Sequence, residues 1–584
     1  MNAALDKSAE SPEYVSRSSL NWRVAQFVVI AMTAILFFTR LGARALWSSE
    51  FRWAEIAREM LRTGNYFWPT INGHLYYDKP LGSYWLVLAS TWVTSGLNET
   101  AARLPCAIAG VLAVWFLILV ARRLYDFRTG VIAGFILATS FSFVFFSRHA
   151  SADVETITGE LGALLLFLKH EDRPAGWWVV WLWVIMAITS LTKGLLGFVL
   201  PIMVIGLYST LSDGWALLGE QLLHGTFADR LRWLFERNRW LFNWHSLVAI
   251  PIGLAIYTVP FRISRMVMGS GAGLAMVYRE NVVRFFEPFD HRGPIYLYLY
   301  VIFALMAPWS MLLPAALVQA HHERRIKGDP TKSDRFTLAF FWGTFVFFTI
   351  SGSRRSYYIL PILPAASMLV ARLLTAPSER LSAWARKLLI VGYGVFVLSI
   401  VGGLALLITP SAFFSGMLGQ LPAAPDRTIF FAMWIVVIAT VIYTITRFSL
   451  SRVTLSMGAA AYAAMIYIYI FAMPAAEAYR GEKPFAHQVL NRVGSQTSEL
   501  GLYRTVGPLF YLDLPQPIPE FDKSKDLTDA VNNGKIAWVI TRRRDLPSVG
   551  SPNEVVVEEA SYPWESEYQH RNKVVLIKIG TRQN

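Results

Sequence analysis

Thirteen stretches of this 584-residue chain are apolar enough to cross a bilayer, and they leave little of it for anything else. They run over Val24–Leu41, Leu104–Ala121, Thr129–Phe146, Val154–Lys169, Trp177–Leu191, Leu195–Thr210, Trp244–Phe261, Ile295–Val318, Phe336–Ile350, Tyr357–Leu374, Leu388–Ile408, Ile429–Ile445 and Val453–Met473. In lipid each segment must satisfy its own backbone hydrogen bonds, which selects helices over open strands. Hydrophobic residues make up 54% of the chain, with 21 Trp and 38 Phe, a balance that a soluble protein of this length does not tolerate. The expectation is an all-α polytopic membrane protein. The net charge of +14 does not imply a nucleic-acid partner, because Lys and Arg gather in short loops between spans, where they set orientation. A single cysteine, Cys106, excludes an intramolecular disulfide. Residues 1–20 form a polar, Ser-rich tail without a cleavable apolar segment, so the first span is expected to stay as an anchor.

Charge asymmetry predicts the topology. Arg122, Arg123 and Arg128 crowd one loop, and Arg230, Arg232, Arg237 and Arg239 a second. Arg324, Arg325, Lys327, Lys332 and Arg335 mark a third, and Arg380, Arg386 and Lys387 a fourth. All four are cytoplasmic only if a further apolar stretch, Leu81–Leu97, lies at the interface or re-enters rather than crossing. The amino terminus is then inside and the carboxyl terminus outside. On this reading residues 21–474 form the membrane domain, with a first outer loop over 43–103. Residues 475–584 are less apolar; ELGLY (Glu499–Tyr503), KIAWVITRR, EVVVEEA and KVVLIKIG read as strands, with a helix near Phe485–Gly494. They predict a soluble α/β domain on the outer face.

The unusual polar residues fall on that same outer side. In the first loop Glu50, Arg52, Glu55, Arg58, Glu59 and Arg62 recur at near-helical spacing, and Asp78 and Lys79 precede Pro80. An amphipathic helix lying on the bilayer accounts for these charges equally well. Asp153 opens a span, where a helix cap is the plain explanation, but Glu155 and Glu160 follow it into the apolar run, where acids need protein or water around them. Lys193 lies between two spans and has the reach to snorkel. The next outer segments supply Arg279, Glu280, Arg284, His291 and Arg292, then Arg354 and Arg355 against the positive-inside trend, as an anionic group held at the surface requires. The chain has no Walker or dinucleotide glycine pattern and no internal repeat, so no nucleotide cofactor is expected. Carboxylates beside several cations at one membrane face point to transfer chemistry on a phosphate-linked lipid. A secondary transporter or lipid flippase is the rival class, and a non-catalytic lipid-binding relative a third.

The run Glu50-Phe51-Arg52-Trp53-Ala54-Glu55-Ile56-Ala57-Arg58-Glu59-Met60, followed by Tyr76-Tyr77-Asp78-Lys79-Pro80-Leu81, resembles the first outer loop of GT-C polyprenyl-phosphate-sugar glycosyltransferases. The nearest in pattern are bacterial aminoarabinose lipid A transferases and protein O-mannosyltransferase-like enzymes. Arg103-Leu104-Pro105, Asp153 after Arg148, Lys193-Gly194, Arg292-Gly293-Pro294 and Tyr358-Ile359-Leu360-Pro361 follow in the same order. The resemblance implies a GT-C fold of about thirteen transmembrane helices plus juxtamembrane helices, in a bacterial inner membrane with a periplasmic active site. It implies an inverting transfer of sugar from an undecaprenyl-type phosphate donor to a lipid A, protein or other glycan acceptor. Membrane lipids are the surroundings and nucleic acid is not a partner.

Carried onto this sequence, the resemblance makes Arg52, Tyr76, Lys79, Arg292 and Tyr358 contacts of the lipid phosphate, with Lys193, Arg354 and Arg355 close by. Asp78 and His291 match a divalent-metal pair, zinc or magnesium, and Asp153 matches the second outer aspartate. One departure stands out. Where the family reads Asp-Glu this chain reads Ser49-Glu50, and a neutral hydroxyl cannot serve as a general base near neutral pH. Either Glu50 or Asp153 is then the base, or the acceptor is already anionic, or the chain is impaired in catalysis.

Overall fold

The computed structural model describes residues 12–47, 49–211, 226–288, 290–327, 331–408, 427–475, 477, 481–549, 553–560 and 566–579. Of the expected elements, the tail 1–20 lies outside the described residues over 1–11, and the link between the spans Leu388–Ile408 and Ile429–Ile445 over 409–426. The chain is mostly helical and is a multi-pass membrane protein. Among the described residues five helices are long and apolar enough to cross, over Asn21–Phe38, Glu99–Leu124, Trp244–Met268, Ala383–Gly402 and Leu450–Ala475. Shorter apolar helices occupy Trp177–Lys193, Leu196–Thr210, Leu360–Thr375 and Ala432–Thr446.

We label α1 Pro12–Phe38, α2 Glu50–Thr63, α3 Gly82–Ser90, α4 Glu99–Leu124, α5 Phe127–Ala138, α6 Phe141–Ser147, α7 Asp153–His170, α8 Trp177–Lys193 and α9 Leu196–Thr210. The stretch expected as one span over Thr129–Phe146 is broken: α5 and α6 meet at 68°. Two hydroxyls make the break, Thr139 Oγ1 donating to the Phe135 carbonyl at 2.7 Å and Ser140 Oγ to that of Ile136 at 2.7 Å. The first amide beyond the corner, Phe141 N–H, is satisfied by the Ala307 carbonyl at 3.1 Å. That carbonyl is free because the stretch expected over Ile295–Val318 is itself divided into Leu297–Leu305, Trp309–Leu312 and Leu313–Lys327, with Pro308 lacking an N–H to continue a helix.

The first loop is held to this bundle by one buried arginine. Arg103, in α4, donates Nε and Nη2 to the two oxygens of Glu50, each at 2.7 Å, in the planar fork that guanidinium offers a carboxylate. Its remaining protons go to the carbonyls of Leu41, Arg44 and Ala45 at 2.8–3.0 Å. Glu50 also accepts the amides of Trp47 and Ala150, each at 2.9 Å. Arg148 does the matching work at the end of α1, donating to the carbonyls of Phe37 at 3.0 Å and Thr39 at 2.9 Å. From this anchor α2 buries Trp53, Ile56, Ala57 and Met60 and ends at Gly64, which takes φ +69°. α3 has nine residues, roughly 13 Å at 1.5 Å each, far short of a bilayer core of about 30 Å. The helical part of Leu81–Leu97 therefore cannot cross unaided.

Beyond the last span a helix over Glu482–Val493 leads into a five-stranded sheet. Two two-residue strands in the first loop, β1 Thr70–Ile71 and β2 His74–Leu75, come before it. The sheet comprises β3 Leu500–Tyr503, β4 Glu520–Phe521, β5 Trp538–Arg542, β6 Asn553–Glu558 and β7 Val574–Ile579, in the order β4-β3-β5-β7-β6. β3 runs parallel to both its neighbours, whereas β7 runs antiparallel to both of its own. This region docks on the first loop. Asn72 exchanges hydrogen bonds with the Ile518 backbone at 2.7 and 2.8 Å, and Arg58 reaches Asp513 at 3.0 Å. Trp53, Ile56 and Met60 share one apolar cluster with Phe485, Val489, Leu509 and Leu512.

Burial opposes ionisation of Glu50, but the charges of His149 and Arg103, with hydrogen bonds from Arg103 and Ala150, outweigh it and lower the carboxyl from 4.5 to about 2. A carboxyl lowered on folding adds stability that is present above pH 4.5 and is lost as pH falls towards 2. Thermal unfolding in detergent should show that acid limb in the wild type and lose it in Glu50→Gln. Arg103→Ala, which strands a buried carboxylate, should cost about 3–5 kcal/mol in the same assay.

Candidate functional site

Beside the α2 amino terminus lies a cavity of about 990 Å³, walled by six segments far apart in sequence. α2 contributes Arg52 and Trp53, with Ser49 at its N-cap; the strand-to-α3 link contributes Tyr76, Asp78 and Lys79. The α6–α7 corner supplies His149 and Asp153, and the end of α8 supplies Lys193. The stretch from Met276 to His291 and the turn from Ser351 to Tyr358 close the far side. Phe145, Phe146, Phe285, Phe286, Phe347 and Phe348 give it an aromatic, apolar flank.

Its polar wall is a chain of cations and acids. Arg52 Nη1 donates to Tyr76 Oη at 2.8 Å and to Asp78 Oδ2 at 3.1 Å. Lys79 Nζ lies 3.6 Å from Asp78 Oδ2. Burial pushes the Lys79 ammonium below its usual range, with Asp78 pulling the other way, so an incoming anion would relieve a real cost. Lys193 Nζ is hydrogen-bonded to Asp153 and sits 5.7 Å from the centre of the Tyr358 ring. Arg284 bridges Glu280 and Asp290, the latter at 2.7 Å, and Arg355 donates to Tyr357 Oη at 2.9 Å. Among the described residues, six Lys or Arg side chains stand against four carboxylates on the wall, an excess of two positive charges.

Most expected site residues meet here: Arg52, Tyr76, Asp78, Lys79, Asp153, Lys193, His291, Arg355 and Tyr358 all line the cavity. Three are placed elsewhere. Glu50 is consumed by Arg103 beneath the wall; Arg292 donates Nε to the Pro288 carbonyl at 2.8 Å; Arg354 joins the Thr349 and Gly293 carbonyls at 3.0 and 2.8 Å. The latter two side chains tie neighbouring turns together. Of the acids following Asp153, neither lines the cavity: Glu155 accepts the Cys106 thiol at 3.3 Å, and Glu160 is fully buried, with neither oxygen hydrogen-bonded among the described residues. The sequence reading overlooked His149, Asn281 and Tyr357 on the wall. A histidine four residues before Asp153 at the same span boundary was the available signal for the first.

The expected metal pair does not fit a resident ion. Asp78 is engaged by Arg52 and Lys79, with the Tyr84 hydroxyl 3.5 Å from its other oxygen, and His291 Nε2 lies 3.1 Å from Asp290. Among the described residues no three His, Cys, Asp or Glu side chains gather to hold a metal. No chemical step is routed through one here.

Lys193 owes its position to the residue after it. Gly194 takes φ +99° and ψ −159°, a region that side chains scarcely enter, and a Cβ there would lie 2.6 Å from Asn281 Oδ1. That oxygen already accepts the Leu195 amide at 2.9 Å. Gly194→Ala should therefore destabilise by about 1–3 kcal/mol in detergent melts and displace the Lys193–Asp153 pair from the wall.

Residues 78–228 match the dolichyl-phosphate-mannose-protein mannosyltransferase family. An uncharacterised protein of Aquifex aeolicus is 29% identical over 60% of this chain and 64% of its own length. Undecaprenyl phosphate-alpha-4-amino-4-deoxy-L-arabinose arabinosyl transferase 1 of Pseudomonas fluorescens is 27% identical over 63% of this chain and 62% of its own. The matches thus span slightly less than two thirds of these relatives. The fold carries further: the crystal structure of ArnT from Cupriavidus metallidurans bound to undecaprenyl phosphate superposes with a TM-score of 0.69 at 21% identity, over 95% of this chain and 98% of that one. The chain thus shares the fold of ArnT, and over residues 78–228 it is similar to the dolichyl-phosphate-mannose-protein mannosyltransferases.

Proposed function

We propose that the chain is an inverting glycosyltransferase that moves a sugar from an undecaprenyl-type phosphate to an acceptor at the periplasmic face of a bacterial inner membrane. The observation that carries this reading is the cavity wall with its excess of two positive charges beside an aromatic flank. A polyprenyl phosphate sugar enters with one negative charge on its phosphodiester and leaves, after the sugar departs, as a phosphate monoester approaching two. The wall therefore binds the leaving group better than the donor, which is the condition for lowering the barrier rather than merely binding substrate. Arg52, Lys79 and Arg355 hold the phosphate, Tyr76 and Tyr358 flank it, and the phenylalanines take the first isoprene units. Lys193 and Asp153 stand ready for the sugar hydroxyls.

The donor sugar of the Pseudomonas relative, 4-amino-4-deoxy-L-arabinose, is the first to try, with lipid A, protein and other glycans as acceptors. The reading includes the topology of thirteen crossings with a cytoplasmic amino terminus, which places the cavity and the carboxyl-terminal sheet together on the outer side. In nanodiscs, Lys79→Ala and Arg52→Ala should each lower transfer by about 10²-fold or more and weaken binding of polyprenyl phosphate. Arg292→Ala, whose side chain lies off the wall, should change transfer by less than about threefold, the range of a surface change within about 0.5 kcal/mol. Equal losses in all three would remove the cavity from the reaction.

A further inference from the structure

With serine at position 49 and Glu50 consumed by Arg103, the chain lacks the carboxylate pair that its relatives' pattern leads one to expect. What stands there is a different constellation. Ser49 Oγ lies 3.4 Å from His149 Nε2, and His149 Nδ1 lies 3.4 Å from Glu50 Oε1. Ser49 caps α2 in position only: its hydroxyl makes no capping bond and is turned to the histidine instead. The imidazole is buried, stacked on Phe145 at 5.2 Å between centroids and 21° between planes, and met edge-on by Phe146 at 6.1 Å. Both Ser49 and His149 are on the cavity wall.

The geometry points to His149 as the general base of the transfer, with Glu50 fixing its ring from behind and Ser49 relaying the proton in front. This rests on the transferase reading above and deepens it. Ionised Glu50, 3.4 Å from Nδ1, favours the tautomer with its proton on Nδ1, which leaves the Nε2 lone pair on the side of Ser49. The acceptor hydroxyl gives its proton to Nε2, either directly or through Ser49, which passes on its own proton as it takes the new one. The acceptor oxygen bonds to the anomeric carbon, and the bond from that carbon to the phosphate oxygen breaks. Its electron pair leaves with the polyprenyl phosphate. The imidazolium, stabilised by Glu50, then returns its proton to water. Contacts of 3.4 Å shorten when such a site closes on its substrate. Asp153, already paired with Lys193, is not needed for the proton.

The imidazole must be neutral to act. Burial pushes its pKa below 6.5; Glu50 and Asp153 pull it back up, and Arg103 and Arg44 push it further down. These are the charged groups facing it from α2, α7, α4 and the loop before α2, and they leave it unprotonated at neutral pH.

The test measures transfer from a polyprenyl phosphate sugar to a hydroxyl acceptor, alongside polyprenyl phosphate binding, in nanodiscs. His149→Gln should lower kcat by about 10²-fold or more while binding stays within about twofold, and should remove the acid limb that the wild type shows below pH 6.5. Because a glutamine also changes the packing on Phe145, a second variant settles the role: adding Ser49→Asp to His149→Gln should recover transfer by at least about tenfold, since a carboxylate then stands where the proton must go. Transfer by His149→Gln within about threefold of the wild type, or no recovery by Ser49→Asp in a variant that binds normally, overturns the proposal alone. No transfer by the wild type to any acceptor overturns the transferase reading and the proposal with it.

Discussion

The buried fork between Arg103 and Glu50 is the contact on which the outer half of the molecule depends. A paired charge in the interior gains little over a well-packed apolar pair, so its value here is in placement rather than in stability. Arg103 spends every remaining proton on carbonyls of the chain entering the first loop, and Glu50 spends its remaining lone pairs on amides from both sides of the site. One ion pair thus sets the start of α2, and with it Ser49, Arg52 and the corner that carries His149. Replacing it by two apolar residues of equal volume would keep the burial and lose the register.

The cavity is then assembled by convergence rather than by any single element. Arg52 comes from a helix, Lys79 from a link before a short interfacial helix, Lys193 from a helix end whose next residue must be glycine, and Arg355 from a turn. Close approach lets them meet: a Cβ on Gly82 would lie 2.6 Å from the Leu191 carbonyl oxygen, so α3 rests directly on the end of α8. The carboxyl-terminal sheet braces the loop from outside through Asn72 and Arg58. Each positively charged group on the wall has an acid or hydroxyl to hold it in place before any ligand arrives, which is what preorganisation requires.

Much of this was legible in the sequence because lipid imposes strict rules. Long apolar runs and basic loops gave the helical class, and the segregation of Arg52, Asp78, Lys79, Asp153, Lys193 and Tyr358 to one side anticipated a common site. What could not be read was which member of a charged cluster faces inward. Glu50 and Asp153 look alike in sequence, yet a single arginine 53 residues away consumes the first and leaves the second on the wall. Arg292 and Arg354 were placed near the phosphate by position, but bind backbone carbonyls. The helix breaks at Thr139 and Pro308 were hidden because hydropathy averages over a corner. His149 was hidden because its role depends on partners that only the fold brings to it.

The corner between α5 and α6 has a mechanical meaning of its own. It is made by hydroxyls and one borrowed carbonyl rather than by a proline within the bend, so α6 is a short arm that starts at the Ala307–Phe141 hydrogen bond. At the far end of that arm are Phe145, Phe146 and, one turn on, His149. The aromatic flank and the imidazole thus share one short element with the corner, whose place is set jointly by Ala307, Tyr469 and Trp309.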